Sequence, residues 1–127
     1  MESLTTPKQV YNAVKEHLQY PEQEELLMLS LDRLNSIKVI HFLGLGTDSE
    51  VLFSTKIIAK AAALDMACGV ILVHTHPSGN PTPCGPDIEA TDQIRKALSL
   101  FDINLIDHII IAKEKLFSFD ADSVLAI

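Results

Sequence analysis

The chain has 127 residues, 47% hydrophobic and 21% charged, the balance of one folded domain with a single core rather than of a disordered or fibrous chain. Ten Lys and Arg against seventeen Asp and Glu leave a formal charge of −7, which disfavours nonspecific attraction to a phosphate backbone. Two cysteines are too few for a disulfide framework, and the most apolar window, AAALDMACGVILV, is short and holds Asp65, so the expectation is a cytoplasmic protein without a signal peptide and with neither a nucleic-acid nor a membrane partner.

Residues 6–18, TPKQVYNAVKEHL, carry Val10, Val14 and Leu18 near helical spacing, with Thr5 or Thr6 before Pro7 as a start signal, and predict an amphipathic helix. ELLMLSLD (25–32) predicts a buried strand, DRLNS (32–36) a turn, and IKVIHFLGLG (37–46) a second strand antiparallel to the first. Gly44 and Gly46 mark a bulge or bend in it. After TDSEVLF, the Ala-rich STKIIAKAAALDM (54–66) predicts a helix with Ile57, Ile58, Ala61 and Leu64 along one face. GVILVHTH (69–76) reads as a central strand buried on both faces. A loop with four prolines follows, and then PDIEATDQIRKALSLF (86–101), a helix with Pro86 in its first turn and Ile88, Ile94, Leu98 and Phe101 facing inward. INLIDHIIIA (103–112), a Lys113–Glu114 turn and KLFSF (115–119) predict a closing hairpin. Helices interleaved with strands indicate an α/β domain over residues 1–127, a central mixed sheet with helices on its faces, without repeats or linkers.

The chemistry concentrates between Val73 and Asp87, in VHTHPSGNPTPCGPD. Strand side chains alternate, so His74 and His76 project together if the strand runs to its last residue. They emerge at the C-terminal end of the strand, where α/β folds place their sites. Pro77, Pro81, Pro83 and Pro86 stiffen the return path to Asp87 and lower the entropy lost in fixing it. Two imidazoles and a carboxylate are ligand types of zinc, and three protein ligands leave a fourth position open, as in catalytic sites. The plain alternative is an exposed histidine pair and an aspartate that complements a helix dipole.

HTHPSGNPTPCGPD (74–87) resembles the JAMM metal motif of JAB/MPN-domain metallohydrolases, His-x-His-Pro, six residues, Ser, two residues, Asp. HPSG (76–79), PTP (81–83), LIDHIII (105–111), LDRLN (31–35) and Gly46–Thr47 are similar to the RadC-type bacterial branch, over a stretch from about Thr6 to the C-terminus. The resemblance implies a cytidine deaminase-like α/β fold and one zinc ion on His74, His76 and Asp87. It also implies a general base at Glu24, in QEELLMLSLD, for a water attacking a peptide, isopeptide or other amide carbonyl. Glu22 and Glu25 flank that position. The motif serine, an oxyanion donor in the family, is Cys84 here, a weaker donor that puts turnover in question. Cys84 as a thiolate ligand would close the fourth position. Asp107 and His108 match the branch's Asp-His and are candidates to orient a ligand, with a satisfied core histidine the alternative for His108. His17 and His41 have no partner evident in the sequence, and structural roles are expected.

Two departures matter. Ser54-Thr55-Lys56 stands where the branch often has Pro-Arg-Glu, and these residues hold no helix-hairpin-helix DNA-binding motif, so the expectation is either a stand-alone JAB domain or a fragment of a longer protein, with no support here for the branch's traditional DNA-repair label. A rival enzyme class, the zinc deaminases, is faintly echoed by PCGP (83–86), but it needs His-x-Glu where His76 stands. The non-enzymatic rival is an MPN-type interaction module, zinc-bound or empty.

Overall fold

The computed structural model describes residues 3–46 and 53–127; Thr47 and most of TDSEVLF lie outside the described residues. The fold is α/β. Helix α1 (Pro7–Val14) is followed by a short 3₁₀ turn, Lys15–His17, then strands β1 (Glu24–Leu31) and β2 (Ile37–Gly46), helix α2 (Thr55–Leu64), strand β3 (Gly69–Thr75), helix α3 (Gly85–Ser99), and strands β4 (Asn104–Ala112), β5 (Lys115–Ser118) and β6 (Ser123–Ala126). Six strands form one mixed sheet in the order β2-β1-β3-β4-β5-β6. β1 runs antiparallel to both neighbours, and β3 and β4 are parallel, joined by α3 as a crossover.

β1 is buried at every position because both faces of the sheet are covered. On one face α1 brings Val10 and Val14 against Leu27, Leu29, Ile71, Val73 and Ile109. On the other, Ile58 and Ala62 of α2 and Ile94 and Leu98 of α3 pack on Met28, Val70 and Leu72. Thr6 starts α1 through a capping box with Gln9, and Pro7 occupies the first turn, as the sequence predicts. The bulge predicted near Gly44 is present: Leu26 pairs Gly44 and Leu27 pairs Phe42, which leaves Leu43 as the extra residue.

Three expectations need correction. Ile57 and Leu64 are exposed, and α2 packs instead through Ile58 and Ala62, because the helix meets the sheet along a narrower stripe than its apolar residues allow. Ile88 and Phe101 are likewise exposed, at the two ends of the stretch whose middle, Ile94 and Leu98, reaches the core. β6 was not expected; it is four residues long and mostly exposed, so it carries no alternating pattern of buried residues.

His41 has a partner that sequence order concealed. Its Nε2 lies 2.6 Å from Asp65 Oδ2, an oxygen that also accepts a 2.6 Å bond from the buried Ser30 hydroxyl, so β1, β2 and the end of α2 are tied at one point. Burial alone would raise the Asp65 pKa, but the bonds from Ser30 and His41 outweigh it and hold the carboxyl below its ordinary value. Asp65→Asn is therefore expected to destabilise the domain by about 1–2 kcal/mol near neutral pH. A depressed carboxylate stabilises above its unfolded pKa, and the benefit is lost as pH falls through the lower folded value. The deficit should thus persist at pH 5 and shrink below about 3.9, a dependence that denaturant titrations at stepped pH would read.

Candidate metal centre

Side-chain parity selects the residues of the site. On β3, Val70 and Leu72 face α2 and α3, so His74 faces the same way, and Glu24 does so on β1 with Leu26 pairing His74. β3 ends at Thr75, one residue short of the expected run, yet the His76 N–H donates to Ile111 O at 2.9 Å and keeps the extended direction. His76 therefore projects on the His74 side. The proline-rich loop then returns the chain to the start of α3, where Cys84 is the N-cap and Asp87 the third helical residue, packed over both imidazoles.

Glu24, His74, His76 and Asp87 converge. Glu24 Oε1 lies 3.4 Å from His74 Nε2 and 3.8 Å from His76 Nε2. Asp87 Oδ1 lies 3.6 Å from His74 Nδ1, and Oδ2 lies 3.3 Å from His76 Nε2. One ligand atom from each of Glu24, His74 and His76 lies within 4.8 Å of the others, a group that could hold a metal ion. A tetrahedral zinc with bonds of about 2.0–2.2 Å sets its ligand atoms about 3.3–3.6 Å apart, the spacing of Glu24 Oε1 from His74 Nε2 and of Asp87 Oδ2 from His76 Nε2, whereas Asp87 approaches His74 at the ring's other nitrogen, Nδ1, and stands outside that compact group. The decisive feature is His74: it is buried, and neither ring nitrogen has a hydrogen-bond partner among the described residues. Buried polar atoms are almost always paired, and an imidazole left bare between two carboxylates fits a cation that the protein atoms alone do not supply.

The loop fixes the tautomer of His76. Its Nδ1 lies 2.9 Å from Asn80 O, so Nδ1–H donates there and Nε2 is the nitrogen turned to Glu24 and Asp87. The loop braces itself: Gly79 N–H donates to His76 O, Asn80 N–H to Ser78 Oγ and Thr82 N–H to Asn80 Oδ1. Ser78 and Gly79 are turn formers, as expected, with Gly79 at φ 87°. Asp87 accepts the Cys84 N–H at Oδ2, 2.9 Å, while its own N–H donates to Cys84 Sγ at 3.4 Å.

Electrostatics follow from burial and these bonds. Burial pushes His74 down to about 4, against the pull of Asp87, so its contacts with the carboxylates are not ion pairs at neutral pH. Burial also acts to lower His76, but hydrogen bonds to Asp87 and Asn80 O outweigh it and raise the imidazole above its ordinary value. Asp87 is desolvated, yet bonds from His76 and Cys84 hold it well below the usual carboxylate range. An ionised Asp87 beside a neutral, unprotonated His74 is the state that metal ligation requires.

The flanking glutamates separate cleanly. Glu22 is exposed on the loop before β1, and Glu25 points to the α1 face, where its carboxylate accepts the backbone N–H groups of Gln19 and Tyr20. Of the three, Glu24 is the one brought to the histidines. Cys84 lies at the expected place but serves as helix cap, and burial and the Asp87 carboxylate push its thiol pKa up, which disfavours a thiolate ligand. Asp107 is not brought to the site. Its Oδ1 accepts from His108 N and Asp120 N and its Oδ2 from Ser118 Oγ, so it braces the turn after β5 on the opposite face of the sheet.

His108 is fully buried on the site's own face, its ring stacked 6.1 Å from that of His74. Thr91 joins it to the site: the hydroxyl donates to Asp87 O at 2.6 Å and meets His108 Nδ1 at 2.7 Å, accepting from it. Burial drives His108 down to about 3, so it is neutral. Sequence reasoning missed Thr91, although its place four residues after Asp87 puts both on one helix face. It also missed Phe53, whose ring meets the edges of both His74 and His108 at 5.3 Å, and the Asn80 carbonyl, which no residue type announces.

The family model described as a RadC-like JAB domain matches residues 4–124. The chain belongs to the RadC-like JAB domain family. Among its relatives, a UPF0758 protein of Caldanaerobacter subterraneus subsp. tengcongensis is 34% identical over 109 residues, covering 86% of this chain and 47% of the relative. A UPF0758 protein of Clostridium botulinum (strain Langeland) is 37% identical over 116 residues, 91% of this chain and 50% of the relative. One of Carboxydothermus hydrogenoformans is 33% identical over 116 residues, 91% of this chain and 51% of the relative. This RadC-like JAB domain thus spans about half the length of the curated relatives it matches. Among its described residues, no helix is long and apolar enough to cross a membrane.

Proposed function

We propose that this domain is a JAMM-type zinc hydrolase of peptide, isopeptide or other amide bonds, with His74, His76 and Asp87 holding the ion and Glu24 carrying the proton. The observation that carries the reading is the buried His74 ring, bare at both nitrogens, between the carboxylates of Glu24 and Asp87. When bound, zinc supplies Lewis acidity that brings the pKa of water toward about 7 and polarises a carbonyl. Glu24 Oε1, beside both Nε2 atoms, takes a proton from the attacking water and returns it to the departing amine. The Asn80 carbonyl holds His76 in the tautomer that offers Nε2, and the α3 cap holds Asp87 in place. Phe53 covers the inner side of His74 and excludes water there. Direct action on nucleic acid is not part of the reading, because the charge of −7 opposes it.

Elemental analysis of protein purified without added metal tests this directly, together with cleavage of a pool of fluorogenic peptide amides. About one zinc per chain and cleavage that stops on chelation and returns with zinc are expected. Zinc-free protein that gains neither metal nor activity on zinc addition would contradict it.

One observation favours a second reading, a zinc-holding module without turnover: Cys84 stands at the motif's serine position and its sulfur is engaged as a cap. Cys84→Ser restores a stronger donor and a better N-cap, so hydrolysis is expected to rise by about 10-fold or more and stability by roughly 0.5 kcal/mol. A rate that is unchanged or lower means the thiol is no degraded donor.

A further inference from the structure

A cleft of about 540 Å³ opens beside His76 on the α1 side of the sheet end. Its lining includes Tyr11, Lys15 and Leu18 from the first helical segment, Glu22 and Glu25 at the entry to β1, and Lys113 from the β4–β5 turn. The volume is that of a small-ligand site, and the cleft shares His76 with the metal centre. Two lysines, Lys15 and Lys113, and two glutamates line it, in a chain of net charge −7. Neither pairs with a carboxylate among the described residues; Lys15 Nζ has only a 3.5 Å contact with Asn12 Oδ1. Of the carboxylates that line the cleft, Glu25 is engaged by two backbone N–H groups, and Glu22, like both lysines, is exposed.

The backbone is shaped around Lys113. Lys113 is the first residue of the two-residue β4–β5 turn, with φ 56°, a conformation that such turns ordinarily give to glycine or asparagine. Its side chain lies across Gly79, where a Cβ would come within 3.1 Å of Lys113 Cδ and 3.6 Å of Nζ. Gly79 is itself left-handed, at φ 87°. Two unusual backbone positions therefore lay one ammonium over the turn that begins at His76.

We propose that this cleft is a substrate subsite for a carboxylate, in which Lys113, assisted by Lys15, binds an anionic group of the peptide whose amide reaches the metal centre. The inference rests on the hydrolase reading and names a feature of its substrate. The carboxylate is that of a chain terminus or of an Asp or Glu side chain, and Tyr11 and Leu18 offer apolar surface to the chain that carries it.

The test uses N-acetyl-tetraalanine as free acid and as amide, and an amidated acetyl peptide with a central Glu or Gln, titrated by NMR against zinc-loaded and metal-stripped protein at low salt. Binding of at least one acid at least about fivefold tighter than its neutral counterpart is expected in both forms, with the tighter of the two acids naming the source. Lys113→Gln should abolish that preference while zinc content stays unchanged. Equal binding of acid and neutral peptides, no binding of either acid, or a preference that survives Lys113→Gln overturns the subsite. A preference that disappears only when metal is stripped places the carboxylate on the metal and overturns it too. A wild-type protein that takes no zinc defeats the hydrolase reading instead and leaves the metal-stripped titration to judge the cleft.

Discussion

His74→Ala is expected to take the zinc content from about one ion per chain to below roughly 0.1, with the protein still folded. His74 supplies one of two imidazoles, and a centre left with one imidazole and a carboxylate falls below the three protein ligands of catalytic zinc sites. The variant also removes two buried nitrogens that have no hydrogen-bond partner among the described residues. Each such group carries a desolvation penalty of about 1–3 kcal/mol, which offsets the packing lost against Phe53 and the His76 and His108 rings. The metal-free variant should therefore be about as stable as the metal-free parent. The contrast appears with zinc: at a thousandfold excess over the dissociation constant the parent gains about 4 kcal/mol, and the variant gains nothing. Paired thermal melts with chelator and with zinc read both effects. A variant that keeps the zinc-induced shift would mean that the ion binds elsewhere.

Glu24→Gln is expected to lower hydrolysis by about 10²–10⁴-fold with zinc retained. Glutamine keeps the shape and the contact with the imidazoles but cannot take up a proton. The neighbours act as controls because the structure assigns them different surroundings. Glu22→Gln, on an exposed loop, should leave zinc content and stability near those of the parent. Glu25→Gln should lower stability with zinc retained, since its carboxylate accepts two backbone N–H bonds on the far face of the sheet. Loss of zinc along with activity in Glu24→Gln would instead make Glu24 a ligand, consistent with the compact group it forms with the two histidines.

Much of this site is legible in the sequence, for definite reasons. His74 and His76 are two apart on a strand, and period-two alternation sends both to one face whatever packs against it. Asp87 follows a loop whose prolines leave few conformations, and its place in a capping box at the head of α3 makes its orientation a local property. Glu24 was ambiguous among three glutamates because strand entry is a boundary. Parity relative to Leu26 and Met28 resolves it once the two core faces are known. Long-range partners were not legible: His41 meets Asp65 across 24 residues, and Asp107 turns to Ser118 and Asp120 on the face of the sheet away from the histidines. The exposed Ile57, Leu64, Ile88 and Phe101 show the converse failure, since apolar residues mark the faces a helix can bury and not the face it does.

The most direct test of the account is a crystal structure of the zinc-loaded protein with anomalous diffraction recorded at the zinc edge. One peak is expected within about 2.0–2.2 Å of a nitrogen of His74, a nitrogen of His76 and an oxygen of Asp87, with a solvent molecule completing the set and the Glu24 carboxylate beside it. No peak between these side chains, or a peak that Asp87 does not touch, would contradict it.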